Sequence, residues 1–283
     1  MTGWDGLVGR ELRRALAHRP GARVAGGDLP ALDVRFAGTL RARVLAFHPD
    51  WVVHLAAWTE VDACESDPAR ARRVNGEAAG NAALAARAAG ARLLHVSTDY
   101  VFDGNRRKPR GEDDPVRPLS VYGRTKLEGE GAVRARLPGG RWTIVRGQSL
   151  YGTGRKSFPD AILRAATMKK EIPVVTDQIV SPTWARDFAE ALVVLLERGA
   201  AGVFHVSAAE SCSWNEFAAA VLEEAGVEDV RVTPLTAAAL GRPAERPEWS
   251  VFDLGKYRRR TGRALRPWRR QLRDYLRARP GAA

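Results

Sequence analysis

Short, continuously apolar runs alternate along the chain with longer stretches of alanine, leucine and arginine at helical spacing, and this alternation constrains the fold more than any other feature. Strand-like runs occupy residues 23–27, 51–55, 92–96, 143–146 and 203–206, and helical patterns occupy 7–18, 68–89, 121–136, 183–198 and 214–225. A strand that is apolar on both sides is one with both faces covered, the condition of a parallel sheet with helices packed above and below. The expected fold class is therefore α/β, a doubly wound parallel sheet. Two helix starts carry their own chemistry. Asp67 ahead of Pro68 reads as an N-cap followed by proline at the first helical position, and Ser213 with Glu216 reads as a capping box. Glycine, proline and irregular segments become commoner beyond residue 151. The expected division is a core at 1–150 and a mixed segment, 151–283, that completes the core and forms a smaller lobe.

The composition narrows the function classes. At 283 residues, 45% hydrophobic and 28% charged, the chain is neither disordered nor fibrous. No apolar run approaches the roughly 18 residues of a membrane helix, and the first residues lack the basic stretch and apolar core of a signal peptide. Cys64 and Cys212 are too few for a disulfide scaffold, so the expected compartment is the cytoplasm. The net charge of +12 invites a nucleic-acid reading, but only six of the basic residues are lysine. An arginine-rich, alanine-rich chain reflects coding bias as readily as a binding surface. Its densest cluster, at 258–273, is interrupted by Leu265, Trp268 and Leu272, with Leu276 beyond. That spacing predicts a packed amphipathic helix with a solvated basic face and no nucleic-acid partner. A basic surface also suits a diphosphate-bearing small molecule.

Gly3, Gly6 and Gly9 form a G-x-x-G-x-x-G loop running directly into the first helical pattern. Glycines there permit a tight turn and let backbone N–H groups approach a pyrophosphate at a helix N-terminus. Asp28, nineteen residues beyond Gly9 at the end of the next strand-like run, is where a carboxylate binds the adenosine ribose hydroxyls. Together they describe a Rossmann dinucleotide-binding core. Such a loop should follow the central strand of the sheet, yet here it stands almost at residue 1. The first strand is expected to be missing, by about five residues, leaving the sheet's centre short of a hydrogen-bonding partner.

Tyr122 and Lys126 are spaced i and i+4, on one face of a helix. A tyrosine with an ordinary pKa near 10 is a poor acid at neutral pH. A lysine cation nearby is expected to bring that value down and make the phenol a usable acid/base. Thr98 lies just past the strand at 92–96, at the end of the sheet where open α/β folds bind ligands. A glycine loop, a strand-end hydroxyl and Tyr-x-x-x-Lys together describe a short-chain dehydrogenase/reductase.

The chain resembles the extended members of that group, and most closely the dTDP-4-dehydrorhamnose reductase family. The resemblance rests on 97–104 (STDYVFDG), 121–130 (VYGRTKLEGE), 54–62 (HLAAWTEVD) with Glu65, Asp177-Gln178 with Ser181-Pro182-Thr183, and Arg246-Pro247 with Ser250 and Asp253. It implies NADH or NADPH as cofactor. Gly6, Leu7 and Val8 would hold the pyrophosphate, Asp28 the ribose, Asp33 and Val34 the adenine side, and Ala57, Trp58 and Thr59 the nicotinamide half. It further implies that Thr98 and Tyr122 polarise a sugar C4 carbonyl, that Tyr122 delivers the proton, and that Lys126 binds the nicotinamide ribose and tunes Tyr122. Asp99, Tyr100, Ser149 and Arg246 join Thr98 as substrate-side candidates, in the smaller C-terminal substrate lobe and along its border.

Some residues depart from the family pattern. Ser149 stands where the family has the aromatic that packs on the sugar. Some members bind Mg²⁺ at a dimer contact. Glu11 matches one such position, but Arg186 stands where another carboxylate would be, so no metal is expected and a homodimer is left open. Val180 replaces the family's usual glycine, a packing change. Arg155 and Lys156 suit either a diphosphate grip or a solvated loop. His54 and His95 read as core or cofactor-edge residues, and the cysteines as inert. Of the tryptophans, Trp58 lies in the cofactor segment. The expected activity is NAD(P)H-dependent reduction of the C4 keto group of a nucleotide-linked 6-deoxy sugar, as in dTDP-rhamnose biosynthesis. A carboxylate at Asp28 favours the unphosphorylated ribose of NADH, although the family uses both cofactors. The competing readings are a nucleotide-sugar epimerase or dehydratase, and a cofactor-binding regulatory subunit without turnover. A dehydratase would carry a Glu beside Thr98-Asp99, where Tyr100 stands.

Overall fold

The computed structural model describes residues 1–153 and 157–279. In chain order they form α1 (Leu7–Ala17), α2 (Ala37–Phe47), β1 (Trp51–His54), α3 (Val61–Ser66), α4 (Pro68–Ala71), a π-helical turn (Arg72–Glu77), α5 (Ala78–Ala88), β2 (Arg92–Thr98), α6 (Val121–Arg136), β3 (Trp142–Gly147) and β4 (Leu150–Tyr151). The second part supplies α7 (Phe158–Ala166), β5 (Glu171–Val175), β6 (Ile179–Val180), β7 (Thr183–Trp184), α8 (Ala185–Glu197), β8 (Gly202–His205), β9 (Cys212–Ser213), α9 (Trp214–Glu224), β10 (Arg231–Leu235), α10 (Gly255–Thr261) and α11 (Trp268–Ala278). Arg155 and Lys156 lie outside the described residues.

The central sheet has the order β1-β2-β3-β8, with every pair parallel. One face packs Val53, Leu94, Val145 and Phe204 against Leu12 of α1 and the apolar side of α8. The other packs Val52, Leu93 and Ile144 against the alanines of α5, Leu40 of α2 and Val133 of α6. The doubly wound reading holds. A separate core gathers Tyr151, Trp184, Phe217, Trp268, Leu272 and Tyr275 in the C-terminal segment, where α7, α9 and α11 meet.

The expected strand at 23–27 does not form: the segment has no ladder of its own, and only Gly27 makes a bridge, to Thr2. The reason is its partner. Thr2 bridges both Gly27 and His54 in parallel and so does, with one residue, what a central strand does with several. The predicted helix at 68–89 is broken at Arg72–Glu77 by the π turn, where Asn75 is buried. The one predicted from 183 starts at Ala185, because Thr183 and Trp184 pair with β4 first. Both predicted caps form: Asp67 accepts from Arg70 N at 2.9 Å, and Ser213 with Glu216 makes the full capping box. The basic stretch at 258–273 is not one helix: Arg258, Arg259 and Arg260 end α10, Leu265 lies in the connection, and in α11 Trp268, Leu272 and Leu276 are buried while Arg269 pairs with Glu223 and Arg273 with Glu224 of α9.

Candidate active site

Residues 55–59, Thr98–Tyr100 and Ser149 lie at or just past the C-terminal ends of β1, β2 and β3, and the glycine loop follows Thr2, which bridges β1. The ladder places Thr2 beside His54, His54 beside His95, and Thr98 beside Gly147. The residues that follow each strand therefore line one crevice.

Backbone crowding shapes the glycine loop. Gly3 has φ +72°, and a Cβ there would lie 2.8 Å from the backbone of Leu55 and Ala56. A Cβ on Gly9 would lie 2.0 Å from the Gly3 carbonyl oxygen, so only glycine lets α1 start this close to the turn. Gly6 is the N-cap of α1 with no side-chain partner, which leaves the first N–H groups of the helix, those of Leu7 and Val8, without a capping side chain. That is a cradle fitted to a pyrophosphate. Asp28 sits beside it and accepts from Asp5 N at 2.7 Å. Asp33 is held by Arg35 through both carboxylate oxygens, which keeps its pKa low, and the Val34 carbonyl accepts from Asn81.

Ala57, Trp58 and Thr59 leave β1 next to this loop. Asn75, in the π turn, fixes them: Trp58 N donates to Asn75 Oδ1 at 2.8 Å, while Asn75 Nδ2 donates to Trp58 O at 3.1 Å and to Thr125 Oγ1 at 3.3 Å. One buried amide thus ties the cofactor-side segment to the helix that carries Tyr122. Sequence reasoning passed over Asn75; its signal was a polar residue inside an otherwise apolar helical run. Thr59 itself is exposed.

Ser120 caps α6 by accepting from Gly123 N, and Glu65 accepts from Val121 N at 2.7 Å, so Tyr122 lies in the first turn and Lys126 one turn on. The Tyr122 phenol faces the Thr98 hydroxyl. Thr98 Oγ1 in turn donates to Asp99 Oδ1 at 3.0 Å. Asp99 is buried beneath Thr98 and also bonded by Ser250, and burial lifts its carboxyl to about 6. Asp99 therefore backs Thr98 rather than facing the crevice as expected. Tyr100 packs edge-on to Tyr122 at 5.5 Å, its phenol pushed up to about 12 by burial.

One electrostatic expectation is corrected. Lys126 does not bring the Tyr122 phenol down; burial pushes it up instead, with Asp99 adding to the rise. The Lys126 ammonium donates to the Val96 carbonyl at 2.7 Å, and its own pKa is lowered to about 8 because it is buried. In this protein Tyr122 is a phenol that keeps its proton at neutral pH.

Arg246 forms a two-point pair with Asp62, at 2.8 and 3.1 Å, and also bonds Tyr100. Arg242, absent from the sequence reading, feels both Tyr100 and Arg246. Two guanidiniums therefore stand at the Tyr100 side of the crevice. Ser149 has φ +47°, and its carbonyl accepts from Thr183 N at 3.1 Å. Asp177 accepts from Ala237 N, and the Thr183 hydroxyl accepts from Ala208 N, so the 177–183 segment stitches loops together.

Beneath the site, Glu130 is fully buried and accepts from Ser97 Oγ at 2.7 Å and from Arg146 Nε and Nη2, each at 2.8 Å. His54 and His95 stack at 5.3 Å between their strands, fully buried and held neutral by burial. Both cysteines are free and buried, and burial raises their thiols, Cys64 to about 11. Among the described residues no group of three or more His, Cys, Asp or Glu is arranged to hold a metal ion, and no helix is long and apolar enough to cross a membrane. Glu11 is paired with Arg14, and Arg186 lies over Trp184.

Comparison with known proteins agrees with this arrangement. The family model described as the RmlD substrate binding domain matches residues 1–279. A dTDP-4-dehydrorhamnose reductase of Streptomyces griseus is 40% identical, over 100% of this chain and 94% of its own length. A probable dTDP-4,6-dihydroxy-2-methyloxan-3-one 4-ketoreductase of Streptomyces antibioticus is 38% identical over 97% of this chain and 92% of its own. The crystal structure of dTDP-4-dehydrorhamnose reductase from Bacillus anthracis, in complex with NADP, superposes with a TM-score of 0.94 at 32% identity, covering 98% of each chain. With its glycine cradle, hydroxyl pair and full-length matches, the chain belongs to the dTDP-4-dehydrorhamnose reductase family.

Proposed function

We propose that this chain reduces the C4 keto group of a dTDP-linked 6-deoxy sugar, with dTDP-4-dehydrorhamnose as the leading substrate and NADH or NADPH as cofactor. The observation that carries this reading is the facing pair of hydroxyls, Tyr122 and Thr98, at the end of β2, together with the glycine cradle ahead of α1. The cofactor, when bound, supplies the hydride. Gly3, Gly6, Leu7, Val8 and Gly9 fit its pyrophosphate, Asp28 its ribose, Asp33 and Val34 its adenine side, and Ala57 and Trp58 its nicotinamide half. Residues 1–150 carry this cofactor side, and 151–283 complete the crevice around the sugar nucleotide.

The proton comes from the protein. Once substrate enters, Thr98 turns its single O–H from Asp99 to the carbonyl oxygen, and Tyr122 donates beside it and releases its proton as negative charge develops there. Burial holds that phenol protonated until a stronger base, the forming alkoxide, is present. The resulting phenolate sits one helical turn from the Lys126 ammonium, which stabilises it. Before substrate enters, Thr98 is oriented by Asp99, which lies buried beside Ser250. Arg242 and Arg246 suit the diphosphate of the substrate.

The test is loss of reduced-nicotinamide absorbance with dTDP-4-dehydrorhamnose, run with NADH and NADPH in parallel. Tyr122→Phe is expected to lower kcat by about 10³-fold while leaving cofactor affinity within about twofold. Turnover unchanged in that variant would remove the proton-donor role. Cofactor binding without turnover on any dTDP-4-keto sugar would replace the reductase reading with a regulatory one.

A further inference from the structure

The Thr98 hydroxyl carries one hydrogen and faces two demands for it. Asp99 Oδ1 accepts it at 3.0 Å, and the reduction proposed above needs it on the sugar carbonyl. The Thr98 oxygen can itself accept two hydrogen bonds. Tyr100 N takes one of those places at 3.3 Å, in the bond that opens the short 3-10 turn Asp99–Val101. A donor at the second place would leave the Thr98 hydrogen nowhere to point but outward, and Asp99 is the neighbour that can become one.

The surroundings of Asp99 suit that change. Asp99 is 3% exposed and Thr98 5%. The groups next to the carboxyl are neutral: Thr98 and Tyr100 on its own turn, Tyr122 of α6, and Ser250 of the C-terminal segment. Arg242 and Arg246 act on Tyr100, Cys64 of α3 acts on Tyr122, and Lys126 is bonded to Val96 O. Among the described residues no cation is paired with Asp99. A buried carboxylate without a cation depends on its hydrogen-bond donors, so losing the one from Thr98 exposes its charge to a dry environment. Taking up a proton removes that penalty. Burial already lifts this carboxyl to about 6, so both of its forms are within reach near neutrality.

We propose that Asp99 is a positioning residue whose protonation sets the direction of the Thr98 hydroxyl, an inference that rests on the reduction proposed above. As a carboxylate, Asp99 holds the Thr98 O–H against itself. As a carboxylic acid it donates its own O–H to Thr98 Oγ1. With Tyr100 N on the other lone pair, the Thr98 hydrogen is then left for the sugar carbonyl. The proton on Asp99 comes from solvent as substrate displaces the Thr98–Asp99 bond, and it returns to solvent when product leaves. Tyr122 still supplies the proton that ends on the product.

The experiment reads kcat/KM and kcat for dTDP-4-dehydrorhamnose from about pH 5 to 7.5, below the Lys126 titration near 8, in the wild type and in Asp99→Asn. Wild-type kcat/KM is expected to be level below about pH 6 and to fall about tenfold per unit above it. The break in kcat is expected about one unit higher, because in the complex the carboxylate has lost its Thr98 donor. Asp99→Asn, whose amide donates to Thr98 without titrating, is expected to run level over the whole range. A second measurement needs no turnover. The protonated-carboxyl infrared band of Asp99, identified by its loss in Asp99→Asn, should titrate about one unit higher in Thr98→Val, which has no O–H to give it. A level wild-type profile, an Asn variant that falls with pH as the wild type does, or a band unmoved by Thr98→Val would overturn the proposal. A wild type that reduces no keto sugar, yet shows the infrared shift, would support the hold of Asp99 on Thr98 and tell against the substrate reading instead.

Discussion

The two halves of the crevice are built in opposite ways. On the β2–α6 side, buried side chains hold the chemistry in place: Glu130 joins Ser97 to Arg146, Asp99 joins Thr98 to Ser250, and Asn75 joins Trp58 to Thr125. On the N-terminal side the shape comes from side chains that are absent. Gly3, Gly6 and Gly9 bring backbone against backbone, and Met1 and Thr2 join residues 25–27 to β1 through their backbone. The difference follows from the two tasks. A proton donor needs its rotamer and hydrogen bonds fixed, which takes polar partners. A diphosphate cradle needs exposed N–H groups, which a Cβ would only obstruct. The first half should therefore break when atoms are removed, and the second when they are added.

The largest effect is expected from Glu130→Ala. Glu130 is fully buried and Arg146 is 2% exposed, so the change strands a guanidinium in the core and takes away the acceptor of Ser97, next to Thr98. Breaking a buried pair from one side costs about 3–5 kcal/mol. Urea unfolding should show a loss of that size. A loss below about 1 kcal/mol would mean that the half rests on apolar packing instead, since a surface pair is worth no more than that.

How much of this was legible in the sequence follows the same divide. Local patterns were readable: the apolar strands β1, β2, β3 and β8, the Asp67 cap and the Ser213–Glu216 capping box, the glycine spacing and the Tyr122/Lys126 pair all lie within a few residues of their cause. What escaped depends on distant partners. Nothing in residues 23–27 shows that only Met1 and Thr2 stand beside them. Nothing near Asn75 names Trp58, 17 positions away. The sign of the Tyr122 shift was misread for the same reason: spacing brings Lys126 one turn away, but only the fold shows that burial outweighs it and that the ammonium is occupied by Val96 O. Arg246 was readable as a polar anchor, whereas its pairing with Asp62 spans 184 positions.

A smaller effect with a definite pH signature is expected at Asp99. Burial raises its carboxyl from 3.8 to about 6, so the protonated form favours the fold. Its contribution to stability is complete below pH 4 and is lost as pH rises to about 6, by roughly 3 kcal/mol across that window. In Asp99→Asn that contribution no longer titrates. The difference between the two unfolding curves should therefore change between pH 4 and 6 and be level above it. A difference that stays flat across the window would place the Asp99 carboxylate in contact with water or a cation, and so weaken the picture of a dry, polar scaffold under Thr98.

The smallest effects test the comparison most directly, because one kind of substitution should act with opposite sign at two positions. Gly9→Ala puts a Cβ 2.0 Å from the Gly3 carbonyl, a backbone atom that cannot swing aside. It should cost about 1–3 kcal/mol and weaken cofactor binding. Gly131→Ala, on the exposed face of α6, meets nothing within 4 Å, and α6 has ordinary helical backbone there. It should stabilise by about 0.5–1 kcal/mol, because alanine restricts the unfolded chain and favours helix. The control lies within the same helix. A Cβ on Gly123 would come within 2.2 Å of Tyr100 O, and one on Gly129 within 2.5 Å of Asn75 O. Thermal melts of the Gly9 and Gly131 variants should therefore move apart, one down and one up. If both fall, the helix carrying Tyr122 is as tightly fitted to its surroundings at residue 131 as it is at 123 and 129, and the contrast between a side-chain scaffold and a backbone cradle is lost.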